Sequence, residues 1–168
     1  MNDARAFALG QLDRLQGFYP RVEGKASFLF AMNIGLGGIL AANVPATLPS
    51  PPGIFATAAG LMIGFSLFHL SSAFFPHLDP APRPSVLYFG DVAKLSAGDF
   101  MSHLNGLTDD DLMADIQCQI WRNSEILAIK FRRTEIAFRF TAVALVPWFL
   151  FLTATTALTG KVPNLIGS

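Results

Sequence analysis

The sequence predicts an all-α membrane protein with three transmembrane helices and a small helical cytoplasmic module, the last span being continuous with a long cytoplasmic helix. Three observations carry that reading. From Ala26 to Leu78 the chain runs 53 residues without Asp, Glu, Lys or Arg, although such residues make up 14% of the whole. A gap of that length matches a lipid phase and not water. A further charge-free run, Phe140 to Gly160, is again of single-span length. Eleven of the twelve Lys and Arg residues lie either before the first run or between it and the last.

Residues 1–25 open the chain with Ala8, Leu12, Leu15 and Tyr19 on one apolar stripe and Asp13, Arg14 and Gln16 opposite. This is the pattern of an amphipathic helix packed on the cytoplasmic module or lying on the bilayer, and Pro20 is expected to end it. Residues 26–75 form a transmembrane hairpin. Its arms, Ala26 to Val44 and Ile54 to Phe75, each approach the roughly 20 apolar residues that cross about 30 Å of hydrocarbon. The joining PATLPSPPG reads as a tight tip. The stretch before Ala26 is too long and too charged for a cleaved signal peptide, so the first span is expected to stay as an anchor.

Residues 76–135 make the cytoplasmic module. Pro76, Pro80, Pro82 and Pro84 favour an extended connector, and Ser85 to Phe89 reads as a short strand or an extended anchor. Ser96 with Asp99 and Thr108 with Asp111 are capping boxes with Asp in place of the usual Glu. Gly106 suits a helix end. A short helix over Ala97 to Asn105 is followed by a long one from Asp109, whose triple Asp sits at the positive end of the dipole. It meets no proline for 38 residues, up to Val146, a length of about 57 Å. The third span, residues 136–160, is then the embedded end of that helix, and 161–168 form an extracytoplasmic tail. The cation distribution places the N-terminus and the module in the cytoplasm and the C-terminus outside.

Composition excludes several function classes. Net charge is zero, with no basic surplus for nucleic acid. The single cysteine, Cys118, permits no intramolecular disulfide and agrees with a reducing compartment. No catalytic or metal-ligating constellation stands out, since His69, His77 and His103 lack metal-ligand spacing. The chain is therefore not expected to be an enzyme or to carry a metal or cofactor. Within the spans, Ala31/Gly35, Gly37/Ala41, Gly38/Ala42 and the ladder Ala56, Gly60, Gly64 allow close helix contact, inside the hairpin or across subunits of a homo-oligomer. Asn33 needs a hydrogen-bond partner in lipid, and His69 is an intramembrane polar group.

The candidate binding set lies on the long helix and just before it. Gln119, Asn123 and Lys130, with Arg122 and Ser124 adjacent, line up amide groups toward a cation at the membrane surface. Tyr88 and Asp91 stand on the preceding segment. Such a set can hold an anionic heterocycle, with Lys130 or Arg122 on a phosphate, Gln119 and Asn123 on a base edge, and Tyr88 or Trp121 stacking. A polar seam fixing the register of a helix bundle is the competing explanation.

The linear pattern EGKASFLF, then SVLYFGDVA, then DLMADIQCQIWRNSEILAIK running into a hydrophobic span resembles the transmembrane effector family of the Pycsar antiphage systems. The similarity extends from about Phe18 to Trp148 and is strongest at Tyr88 to Asp91 and at Asp115, Gln119, Asn123, Ser124 and Lys130. Glu23 stands where the family pattern would have Asp. The resemblance implies a multi-pass effector in the bacterial inner membrane, functionally paired with a nucleotide cyclase. Such an effector senses a cyclic pyrimidine mononucleotide, cUMP or cCMP, and impairs the membrane. A scaffold membrane protein or a small channel subunit without nucleotide binding are the readings from other classes.

Overall fold

The computed structural model describes residues 2–44, 50–75 and 84–160, so most of the expected hairpin tip, the proline-rich connector and the C-terminal tail lie outside the described residues. The described residues form six helices and no strand: α1 (Asn2–Gln16), α2 (Tyr19–Asn43), α3 (Pro51–Phe74), α4 (Phe89–Val92), α5 (Ala97–Asn105) and α6 (Asp109–Thr159). Helices α2, α3 and α6 are each long and apolar enough to cross a membrane.

Helix boundaries follow local chemistry. The α1 helix stops at Gln16, where the Gly17 amide closes on the Asp13 carbonyl at 2.9 Å. Pro20 therefore falls in the first turn of α2 and does not end α1. In a first turn the missing N–H has no helical partner to lose. The same logic starts α3 at Pro51 and Pro52, with the Ser50 hydroxyl accepting from the Gly53 amide at 3.3 Å. Both Asp capping boxes form: the Asp99 amide donates to Ser96 Oγ at 3.1 Å and the Asp111 amide to Thr108 Oγ1 at 3.2 Å. Ser85 to Phe89 forms no strand; it is a bent loop, extended again at Tyr88, leading into the single turn of α4. Helix α6 runs through Pro147 to Thr159, 51 residues in all.

The chain divides into two compact units, Met1–Arg21 with His77–Ile129 and Val22–Pro76 with Lys130–Ser168. The sequence placed these breaks near 25, 75 and 135.

The second unit is a three-helix bundle of α2, α3 and the later part of α6. One apolar cluster joins Leu40, Ala56, Ala59, Trp148 and Phe151, and another joins Ala26, Leu29, Leu70 and Ala137. A polar node uses one residue from each helix: Asn33 Nδ2 donates to Ser66 Oγ at 3.1 Å and to Thr141 Oγ1 at 2.9 Å. All three are buried, so the polar group that the sequence placed in lipid finds its partners inside the bundle, as low-dielectric surroundings require. His69 Nδ1 accepts from the Arg133 guanidinium at 3.2 Å, since a guanidinium can only donate. Lys130 Nζ, buried with its side chain 9% exposed, pairs with Glu23 Oε1 at 2.9 Å and ties α6 to α2.

The small-residue ladder splits between two surroundings. A Cβ on Gly60 would lie 3.4 Å from Leu40 Cδ2, whereas one on Gly64 would meet nothing within 4 Å. Gly60→Leu therefore overpacks the hairpin and should lower stability by about 1–3 kcal/mol, read as a fall in Tm in detergent. Gly64→Leu should leave Tm near wild type; a change in oligomer mass in that variant alone would assign the ladder's free face to self-association.

Candidate functional site

The first unit holds most of the residues singled out in the sequence. Its organising feature is a knot around Ser85. The Ser85 hydroxyl accepts from the Leu87 and Tyr88 amides at 3.1 and 3.0 Å, a local side-chain turn that competes with strand formation. The same hydroxyl donates to Asp115 Oδ2 at 3.0 Å, and the Val86 amide adds a second bond to that oxygen at 3.0 Å. The Ser85 amide donates to Asp91 Oδ2 at 3.1 Å. Asp91 Oδ1 accepts from Lys94 Nζ at 2.8 Å. The Lys94 ammonium first, and the Ser85 amide second, hold the Asp91 carboxyl below the usual carboxylate range, and Asp91 in turn raises Lys94. Asp91 thus stays ionised at neutral pH and its hold on the loop is lost only as pH falls through its lowered pKa.

The knot fixes Tyr88 at the surface, 44% exposed, with Phe89 beside it. The Tyr88 ring folds over Gly90, where an added Cβ would stand 2.6 Å from the ring. Any side chain at position 90 forces that ring to move.

On α6, Asp115, Gln119 and Asn123 follow one another at i, i+4 and i+8, so they share a face. Asp115 and Gln119 are buried, 7% and 8% exposed. Asp115 Oδ1 is buried without a hydrogen-bond partner. Asn123 Nδ2 donates to the Gln119 carbonyl at 2.8 Å, and Asn123 Oδ1 accepts from the Tyr19 hydroxyl at 3.1 Å. Arg122, whose side chain is 14% exposed, pairs with Glu125 at 2.7 Å. Ser124 is exposed and bonds back to the Ile120 carbonyl at 2.8 Å. Trp121 is exposed as well. Lys130 belongs to the other unit, where it faces Glu23.

The structure therefore joins Asp91 to the Tyr88 loop and places Gln119 and Asn123 on one stripe. It adds three residues that the candidate set omitted: Ser85, Asp115 and Tyr19. Asp115 was legible as the residue four before Gln119 on the same face. Ser85 carried no comparable signal, since its role depends on a contact 30 residues away in sequence. In the sequence Tyr19 stands only as the end of an apolar stripe. A cavity of about 420 Å³ lies at the end of α5, lined by Asp99, Ser102, His103, Gly106 and Leu107, and takes in none of the candidate residues.

A family model described as the Pycsar effector protein domain matches residues 7–157. The chain belongs to the Pycsar effector family. The match spans both units, so the Ser85 knot, the α6 stripe and the three apolar helices all fall within the family's domain. This Pycsar effector is accordingly a membrane protein with an antiphage defence role. No curated protein and no solved structure matches the chain.

Proposed function

We propose that this Pycsar effector senses a cyclic pyrimidine mononucleotide through its first unit and responds by impairing the inner membrane. The observation that supports this reading most is the α6 stripe, where the buried Asp115 carboxylate keeps an oxygen with no donor. An unpaired buried acceptor costs about 1–3 kcal/mol, and a ligand N–H that reaches it recovers that cost. In this reading Asp115 and Gln119 take the base edge, Asn123 supports Gln119, Tyr88 or Trp121 supplies a stacking face, and Arg122 exchanges Glu125 for the phosphate. Lys130 is assigned to holding α6 against α2 through Glu23 and not to the ligand.

Asp115 Oδ1 is buried, so a ligand that bonds to it binds an opened arrangement of the site in preference to the closed one and biases their populations. Helix α6 carries the stripe and also the third apolar segment, which gives the shift a route into the bilayer. The cation distribution supports an N-terminus inside and a C-terminus outside. A cysteine introduced at Ser50 should react with a membrane-impermeant label from outside intact cells; protection from that label would overturn the orientation.

Proteoliposomes test the functional reading. Adding cUMP or cCMP to vesicles holding the protein and a trapped dye should release the dye, with cAMP and cGMP much weaker. Vesicles that stay sealed with all four would favour the scaffold reading.

A further inference from the structure

We infer that the groove between α2 and α6 in the membrane unit is a binding site for an anionic phospholipid, with an acyl chain in the groove and the phosphate on Lys25. The groove has a volume of about 500 Å³, within the range of small-molecule sites. Phe28, Leu29 and Met32 of α2 form one wall, and Phe131 and Phe138 of α6 form the other. Residues 25, 28 or 29 and 32, and residues 131, 134 or 135 and 138, recur at three- and four-residue steps, so each set presents one face of its helix. Leu29 belongs to the buried cluster with Ala26, Leu70 and Ala137, which closes the back of the groove. Phe28 and Phe138 are 69% and 58% exposed, so the front is open.

The level of the groove selects its occupant. Lys25 is the last charged residue of α2, and everything beyond it on that helix is charge-free. Helix α6 keeps its charges down to Arg139 while Ala137, two residues earlier, already packs against Ala26 and Leu29. Charged residues of one helix thus run beside charge-free residues of the other, as they do where headgroups meet acyl chains.

The rim carries both paired and unpaired charges. Glu135 faces the groove but is bound by Arg139, and Glu23 is bound by Lys130. Lys25 has no counter-ion among the described residues. One unpaired cation above an apolar slot fits a lipid phosphate with a net negative headgroup. This inference rests on the membrane crossing of α2 and α6 and not on nucleotide binding.

The test is native mass spectrometry of the full chain released from nanodiscs containing phosphatidylglycerol or phosphatidylcholine. The wild type should retain phosphatidylglycerol in preference. Lys25→Gln, a change at an exposed side chain, should lose about fivefold of that affinity, and Lys25→Arg should restore it. Met32→Trp, which fills the slot, should reduce retention of both lipids. Equal retention of the two lipids by the wild type would overturn the proposal, as would unchanged phosphatidylglycerol retention in Lys25→Gln. A fall in oligomer mass in Met32→Trp relative to wild type, with lipid retention intact, would make the groove an interface between copies and would equally overturn it.

Discussion

Asp115→Ala is expected to release the Ser85 loop from α6 and to abolish nucleotide binding together. Removing the carboxylate strips the Ser85 hydroxyl and the Val86 amide of their shared acceptor. Each orphaned donor costs about 1–3 kcal/mol. Part of this is offset, because the alanine also removes an oxygen that was buried without a partner. The net loss should be about 1–3 kcal/mol, read as a lower Tm and as faster amide exchange over Ser85 to Lys94. Asp115→Asn separates structure from recognition. Its amide oxygen can still accept from Ser85 and Val86, so stability should stay within about 1 kcal/mol of wild type. Its NH₂ group then replaces the acceptor at Oδ1 with a donor, and a ligand N–H is repelled. Wild-type nucleotide affinity in a folded Asp115→Asn protein would remove Asp115 from the site.

Arg122→Ala should weaken nucleotide binding more than Asn123→Ala. A lost charge-assisted hydrogen bond costs about 1.5–3 kcal/mol, roughly 10- to 150-fold in Kd, against about 0.5–1.5 kcal/mol for a neutral one. Both should leave membrane insertion intact, because neither lies in an apolar span. Lys130→Ala should behave differently. It removes a buried ammonium from Glu23 and should lower Tm with little change in Kd. Wild-type affinity in Arg122→Ala and Asn123→Ala alike would identify the α6 stripe as a structural seam.

The spans, the capping boxes and the long final helix were legible in the sequence because each rests on local periodicity or on charge-free length. Asn33 signalled its need for partners, but not that Ser66 and Thr141 would meet it, since those lie on two other helices. Pro20 misled because proline is disfavoured inside a helix yet suited to a first turn. The Ser85 loop was obscured for a different reason: Val86, Leu87 and Tyr88 have strand-like side chains, while a serine hydroxyl and a carboxylate on α6 override that preference. Lys130 and Glu23 lie 107 residues apart, so sequence pattern alone presents one as a candidate ligand residue and the other as part of a family motif, with nothing to join them. The structure pairs them at 2.9 Å within the second unit.

Calorimetric titration of cUMP, cCMP, cAMP and cGMP into the purified full chain in nanodiscs is the direct test of nucleotide sensing by the first unit. Saturable binding of a pyrimidine cyclic nucleotide is expected, lost in Asp115→Asn and weakened in Arg122→Ala. Absence of heat with all four nucleotides, from protein whose Tm shows it to be folded, would contradict it.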